Sequence, residues 1–387
     1  MVRIGELWLK SEKVKKQFMA SLMRNIHAVL DSENIEYKTE EHRGRILIYG
    51  DAERIAPIVS RVFGIVDVSI CKTCGNSSEE IATVAADLAS GKLHSGMRFA
   101  VRARRQHVRG FTSQELARIV ADTVWKKIPG FVVDLENPEY EIFVEAREYG
   151  GIIYDRRITG QGGLPFGTAG KAMILLSAGI DSPVAAWLMM RRGVMISGVF
   201  MNGGKWAGPA TKKLALDNAR ILSTWSPGRN FAIWVVNMEP FFETMTESCN
   251  RHYTCIFCKR FMMRVADSLA SRGKYDTLVS GENLGQVASQ TIQNMCVITA
   301  SVKTPILRPL LTYDKEETIA ISRKIGTFHE NPGDSGCRAV PKKPATRSSI
   351  ELIEKEEENL DLAKLIENAC TSAELWIARN GEISKKS

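Results

Sequence analysis

Residues 174–182 read ILLSAGIDS. An apolar strand, KAMILLS from Lys171, runs into a turn of small residues. A helix then begins around Asp181 and Ser182, with Pro183 in its first turn, where a missing N–H costs little. Successive backbone N–H groups in such a turn, with the positive end of the helix, form a cradle for an anion such as a nucleotide phosphate. An ordinary strand-to-helix turn accounts for Gly179 but not for the grouping Ser177-x-Gly179-x-Asp181-Ser182. Two neighbouring glycine stretches offer no rival. GTAGKA at 167–172 has Pro165 where a Walker A glycine belongs and Ala172 where Ser or Thr would ligate Mg²⁺, and it precedes its strand. Residues 160–167 break the GxGxxG spacing at Pro165, so a Rossmann dehydrogenase is not supported.

Beyond this junction, VMISGVFM (194–201), FAIWVVNM (231–238) and YDTLVSG (275–281) alternate with helical stretches. Apolar strands of that kind predict a buried parallel sheet with βαβ connections. Before it, TGQGGLPFGTAG (159–170) reads as a boundary. Residues 1–70 read as a small α+β, ferredoxin-like unit: strand IGELWLK, helix from Glu12 to Leu30, strands IEYKTE and RILIYG around His42-Arg43-Gly44, helix from Ala52, strand IVDVSI. A second α+β unit, 71–166, follows: helix from Ser77 to Ala89, strand MRFAVRAR, a helix opened by the capping box Thr112-x-x-Glu115, then strands FVVDL, EIFVEARE and GIIYDRR. The expected fold is thus two α+β units followed by an α/β parallel-sheet domain at 171–387.

With 387 residues the chain exceeds what one core supports, so two or three domains are expected. A composition 44% apolar and 25% charged is that of a globular protein. The net charge of +8 permits a polyanionic partner without demanding one. No apolar run approaches the ~18 residues of a membrane span, and the N-terminus lacks the apolar stretch of a signal peptide, so no membrane association and a cytoplasmic location are expected. Eight cysteines in such a chain should be reduced, and a cluster among them reads first as metal binding or catalysis.

SAGIDS resembles the SGGxDS loop of the PP-loop ATP pyrophosphatases, which adenylate a substrate oxygen and release pyrophosphate. VRARRQHVRGFTSQEL (101–116) and VDLENPEYEIFVE (133–145) resemble a THUMP RNA-binding domain, while KRFMMRVA (259–266) and SGENLGQVASQT (280–291) resemble the tRNA 4-thiouridine synthetases, the ThiI family. The likeness runs from about residue 1 to about 350 in the family's order, and a THUMP unit directly before a PP-loop is specific to it. It implies a ferredoxin-like, a THUMP and a PP-loop domain, and an ATP-dependent sulfurtransferase. That enzyme adenylates O4 of a tRNA uridine, expected at position 8, and exchanges AMP for sulfur to give 4-thiouridine. ATP contacts carried over from the family fall on Leu175, Leu176, Phe200, Met201, Lys259, Gly281 and Gln290, with Ser177, Gly179 and Ser182 in the loop. Asp181 is the expected essential acid, holding Mg²⁺ against the pyrophosphate or orienting the loop. Ala178 stands where the family usually has glycine; a positive φ there would cost on the order of 1 kcal/mol. Rivals from other classes are a non-catalytic THUMP tRNA-binding module and a PP-loop enzyme making another modification, such as a 2-thiolation.

Cys255-Ile-Phe-Cys258 reads as a CxxC just before a helix that starts at Lys259, where the helix end, Lys259 and Arg260 should lower the thiol pKa values. Cys337, in PGDSGCRAVPKKP, matches the segment where the family keeps its sulfur-handling cysteine. Three thiolates can carry a [4Fe-4S] cluster with one iron open to sulfide. The competing scheme is a persulfide-disulfide relay between Cys337 and one of the pair. Ending at Ser387, the chain is expected to be the short, archaeal-type form without a rhodanese domain. Cys249 and Cys296 read as buried packing residues, as does Cys370, and Cys71-x-x-Cys74 is a weak zinc or redox signal.

Residues 96–112 hold five arginines (Arg98, Arg102, Arg104, Arg105 and Arg109) and no acid; residues 338–347 hold four basic residues, Lys342 and Lys343 among them, and no acid. Both windows read as tRNA contacts. The expected partners are tRNA, a sulfur donor (inorganic sulfide or a persulfide carrier) and a second copy of the chain in a homodimer.

Overall fold

The computed structural model describes residues 1–5 and 11–386. Of the expected strand IGELWLK, residues 6–10 lie outside the described residues. The elements are β1 (Val2–Ile4), α1 (Glu12–Ser32), β2 (Tyr37–His42), β3 (Arg45–Gly50), α2 (Ala52–Ser60), β4 (Ile65–Val68), β5 (Lys72–Cys74), α3 (Ser78–Ala89), β6 (Arg98–Gln106), α4 (Ser113–Lys127), β7 (Val132–Val133), β8 (Tyr140–Arg147), β9 (Gly150–Tyr154) and β10 (Ile158–Thr159). They continue as β11 (Lys171–Leu175), α5 (Asp181–Arg191), β12 (Met195–Asn202), α6 (Thr211–Ser223), β13 (Phe231–Asn237), α7 (Glu239–Ser248), α8 (Thr254–Arg272), β14 (Thr277–Val279), α9 (Ile292–Thr299), β15 (Ile306–Leu307), α10 (Lys315–Ile325), α11 (Ile350–Glu357), α12 (Leu362–Thr371), β16 (Glu374–Arg379) and β17 (Glu382–Lys385).

Two compact units result. The first holds Met1–Ile4, Asn34–Arg61 and Ile65–Gln161; the second takes α1, Val62–Gly64 and the chain from Gly162 on. In the first unit, an antiparallel sheet of order β10-β4-β1-β3-β2 carries the ferredoxin-like strand order 4-1-3-2. The other sheet, β5-β9-β8-β6-β7, is that of the second α+β unit, with β6 parallel to β7 and β8. Helices α3 and α4 cover it with Ile81, Ala85, Leu116, Val120 and Val124. The capping box at Thr112 and Glu115 is formed. Glu145 of β8, 1% exposed, accepts from Arg45 of β3 and Arg147. Burial pushes its carboxyl up, but those two guanidiniums outweigh burial and hold it down at about 2.

The second unit is built on a seven-stranded sheet of order β15-β14-β11-β12-β13-β16-β17. The first five strands are parallel. Alternation along them fills both faces: Ala172, Ile174, Ile196, Phe200, Ile233 and Val235 on one, Met173, Val199, Val236 and Leu278 on the other. Sequence order reverses between β11 and β14, and at such a switch point the two loops leave the carboxyl edge in opposite directions and open a crevice. Helix α1 packs in this unit, where Asn25 donates to the Phe166 carbonyl at 3.1 Å. Phe63 stacks on Trp225 and meets Trp187 edge-on.

Strands β16 and β17 lie outside the sequence expectation, although their signal was present. Asn380-Gly381 is a type I′ hairpin pair, and both residues take positive φ, 49° and 85°. FVVDL shortens to the two residues of β7. Cys71 packs with Met1, Leu47 and Tyr154, whereas Cys74 packs under α3, so this CxxC does not converge on one site.

Candidate active site

The loop after β11 is tied to its helix by serines. Ser177 N–H donates to Ser182 Oγ at 2.7 Å, and Gly179 N–H donates to Ser177 Oγ at 3.2 Å. Asn218, fully buried on α6, donates to the Ser177 carbonyl at 3.0 Å and bonds His329 through its oxygen. No side chain caps α5, so its first-turn N–H groups are left for a ligand, as an anion cradle requires. Neither Ala178 nor Gly179 takes a positive φ, so the alanine carries no strain. Asp181, the first residue of α5, accepts from Lys315 Nζ at 3.0 and 3.2 Å.

Leu175, Leu176, Ser177, Asp181, Ser182, Phe200, Met201, Lys259, Gly281 and Gln290 line one cavity of about 290 Å³ at the carboxyl edge of β11, β12 and β14. These come from five separate stretches of sequence. Gly179 is not on its wall. Phe200 is also part of the hydrophobic core. Lys259 does not stand free: its ammonium donates to Glu282 Oε1 at 2.8 Å, and Glu282 Oε2 accepts from Arg308 at 2.8 Å. Burial pushes the Glu282 carboxyl up, yet Lys259 and Arg308 prevail and hold it below the usual range. Gly281 is required by close approach. A Cβ there would lie 2.7 Å from both Cα and N of Ser182, which is backbone that cannot yield. Gly281→Ala should therefore displace the start of α5 and raise KM for ATP by at least about tenfold, since misplacements near 1 Å cost up to ~100-fold. Unchanged nucleotide binding by calorimetry would contradict that.

The thiols correct the sequence reading. Helix α8 begins at Thr254, so Cys255 sits in its first turn and Cys258 opens the second, and neither lies before it. Arg260 faces away, fully buried on Glu357. Burial and Cys337 push the Cys255 thiol up despite Lys259; burial, Cys337 and Cys255 do the same to Cys258. The thiol pKa values are therefore raised, not lowered. The Cys337 loop is laid beside them by a ladder with the segment after β12: Gly208 N–H to Gly336 O at 2.9 Å, Arg338 N–H to Trp206 O at 2.8 Å, and a bridge pairing Ala207 with Cys337. Cys337 lies near enough to Cys255 and Cys258 to disfavour their ionisation. Among the described residues no three His, Cys, Asp or Glu side chains converge tightly enough for a single metal ion. Cys249 and Cys370 are buried as expected, but Cys296 is exposed on α9.

Comparison with known proteins bears on this geometry. Family models match in three consecutive blocks: the ThiI ferredoxin-like domain at residues 1–69, the THUMP domain at 75–154, and the thiamine biosynthesis protein (ThiI) model at 167–362. The Methanosarcina mazei protein named "Probable tRNA sulfurtransferase" is 39% identical over 381 residues, covering 97% of this chain and 94% of the relative. The chain belongs to the ThiI family. A Caldanaerobacter subterraneus relative of the same name is 38% identical, covering 95% of this chain and 97% of its own. The crystal structure of a 4-thiouridine synthetase–RNA complex with bound ATP superposes with a TM-score of 0.85 at 30% identity, covering 98% of each chain.

In this ThiI-family chain the arginine run is acid-free in sequence but not in space. Arg98 lies 3.5 Å from Glu139, and Arg102 donates to Glu141 at 2.7 Å. Arg105 is turned onto the Val108 carbonyl. Arg102 and Arg104, with Phe143, Tyr154 and Arg157, line a second cavity of about 860 Å³ in the first unit. Lys342 and Lys343 are exposed, and the Lys343 carbonyl lies 2.7 Å from His252 Nδ1. Among the described residues no helix is long and apolar enough to cross a membrane. Sequence reasoning missed Lys315, Asn218, Glu282 and Arg308. Only Glu282, inside the recognised SGENLGQ, carried a local signal.

Proposed function

We propose that this chain is an ATP-dependent tRNA uracil 4-sulfurtransferase and that the crevice at the switch point is where it activates the base. The observation that carries the reading is the convergence of the PP-loop, Lys259, Gly281 and Gln290 on one cavity at the carboxyl edge of a parallel sheet. Uracil O4 attacks the α-phosphorus of ATP; the new P–O bond forms as the α–β bond breaks and pyrophosphate leaves. A sulfur nucleophile then adds at C4, and the C4–O bond breaks with loss of AMP. In this scheme the uncapped turn of α5 and Lys259 receive the phosphates, and the backbone at Leu175, Leu176, Phe200 and Met201 receives adenine. Asp181 holds Mg²⁺ or orients the loop. The base must leave its stacked position to reach the cavity.

Cys255, Cys258 and Cys337 are the residues that would hold a [4Fe-4S] cluster. Burial raises the Cys255 and Cys258 thiols, which suits groups that ionise only against a metal, and the backbone ladder at Ala207 brings Cys337 beside them. When bound, the cluster supplies an open iron for sulfide; the persulfide relay remains the rival. In either scheme Cys337, the exposed one, meets the sulfur donor. Arg98, Arg102, Arg104, Arg105 and Arg109, with Lys342 and Lys343, are assigned to tRNA phosphates. We assign the ferredoxin-like, THUMP and catalytic roles to 1–70, 71–166 and 171–387, in a cytoplasmic homodimer.

Anaerobic protein given a tRNA transcript, ATP, Mg²⁺ and sulfide should yield 4-thiouridine by mass spectrometry; ATP binding without thiolation would overturn the activity. Iron and acid-labile sulfide assays on wild type and Cys258→Ser test the cluster separately. Colourless, iron-free and active protein would eliminate it.

A further inference from the structure

Glu282 leaves β14 at the carboxyl edge and is 5% exposed. Its two oxygens are divided between cations from distant elements, Lys259 of α8 and Arg308 just after β15. Arg308 is itself anchored, donating to Thr299 Oγ1 of α9 at 2.9 Å. The Glu282 N–H donates to Ser280 Oγ at 3.2 Å, which fixes the residue from its own backbone. Both Glu282 and Lys259 line the nucleotide cavity, whereas Arg308 does not.

Lysine is a flexible chain ending in a compact charge with three donors, and on its own it is poorly aimed. One N–H taken by Glu282 fixes the ammonium and leaves two for phosphate oxygens. Both carboxylate oxygens are engaged, so Glu282 reaches the nucleotide through Lys259. Arg308 offsets the cost of burying the carboxylate, and the three groups together remain at one net positive charge, favourable for a polyphosphate.

We infer that Glu282 is a positioning residue for adenylation, a buried clamp that aims Lys259 at the phosphates and is braced from behind by Arg308. This rests on the reading of Lys259 as a nucleotide contact. It is tested by steady-state thiolation kinetics on Glu282→Gln, Lys259→Ala and the double variant, with melting curves for each. Losing a charge-assisted hydrogen bond should cost Glu282→Gln about ten- to a hundredfold in kcat/KM for ATP. In the Lys259→Ala background the same change should cost less than about twofold, because the clamp then has nothing to aim. Glu282→Asp, which keeps the charge, should recover part of the loss, and it serves the same cycle if Glu282→Gln does not fold. Additive losses, or wild-type kcat/KM in Glu282→Gln, would overturn the clamp. Unchanged KM for ATP in Lys259→Ala would instead overturn the nucleotide contact, and the clamp with it.

Discussion

Asp181→Ala should lower uridine thiolation by at least about a hundredfold while leaving the melting temperature within a few degrees of wild type. Asp181 stands on the cavity wall and outside both cores of the second unit, so its loss opens no hole in packed side chains. In the proposed site its carboxylate is the acid at the mouth of the phosphate cradle, and in this structure it pairs with Lys315 Nζ at 3.0 Å. Removing one preorganised charge from a site that stabilises a developing transition state costs ~10²–10³ in kcat. The surface pair with Lys315 is worth at most about 1 kcal/mol, which is why stability should hardly move. Single-turnover thiolation and calorimetric ATP titration separate the two effects. Normal 4-thiouridine in tRNA from cells carrying the variant would sink the catalytic assignment of Asp181.

Glu357→Ala should act in the opposite way, on stability. Arg260 is fully buried in α8, and Glu357 of α11 accepts from its Nε at 2.9 Å and its Nη2 at 3.0 Å. Arg264 adds a two-pronged pair at 2.8 Å on each oxygen. Deleting the carboxylate leaves the buried guanidinium with only the half-exposed Glu354, 3.3 Å away, and the Val297 carbonyl, and losses of about 3–5 kcal/mol are typical of such a break. That is a large part of the ~5–15 kcal/mol that holds a domain folded. Replacing Arg260 and Glu357 together by apolar residues should recover much of it. Burial pushes the Glu357 carboxyl up, but Arg264 and Arg260 prevail and lower it. A lowered carboxylate pKa stabilises the fold above the unfolded value near ~4.3 and loses that stabilisation as pH falls through the folded one. Denaturant melts should therefore show a contribution at neutral pH that fades below about pH 4 in wild type. A variant as stable as wild type at pH 7 would contradict the pairing.

The sequence carried most of the fold because its signals are local. Apolar strands at 171–177, 194–201 and 231–238, each leading into a helix, specify a doubly covered parallel sheet, since a strand buried on both faces reads as one apolar run. The capping box at Thr112 and Glu115 formed for the same reason, because both partners lie within one turn. The Asn380-Gly381 hairpin is a local signal of the same kind. Of the ten expected nucleotide contacts, Ser177, Gly179 and Ser182 were read from the turn and seven from the family resemblance, and nine of the ten line one cavity, with Gly179 standing off it.

What the chain alone determined was the order of its elements, the small-residue turn that opens α5 and the chemical types near it. Only the tertiary structure decided which charges are free. Arg260, two residues from the Cys258 thiol sought as its neighbour, turns to Glu357; Arg98 and Arg102, in an acid-free window, meet Glu139 and Glu141; Lys259 is held by Glu282; Asp181 meets Lys315 across 134 residues. Helix periodicity and strand alternation are set by neighbours in sequence, whereas an ion pair depends on which elements the folded sheet brings side by side. The raised thiols of Cys255 and Cys258 follow from the same rule, because burial is a property of the packed molecule and not of a CxxC spacing.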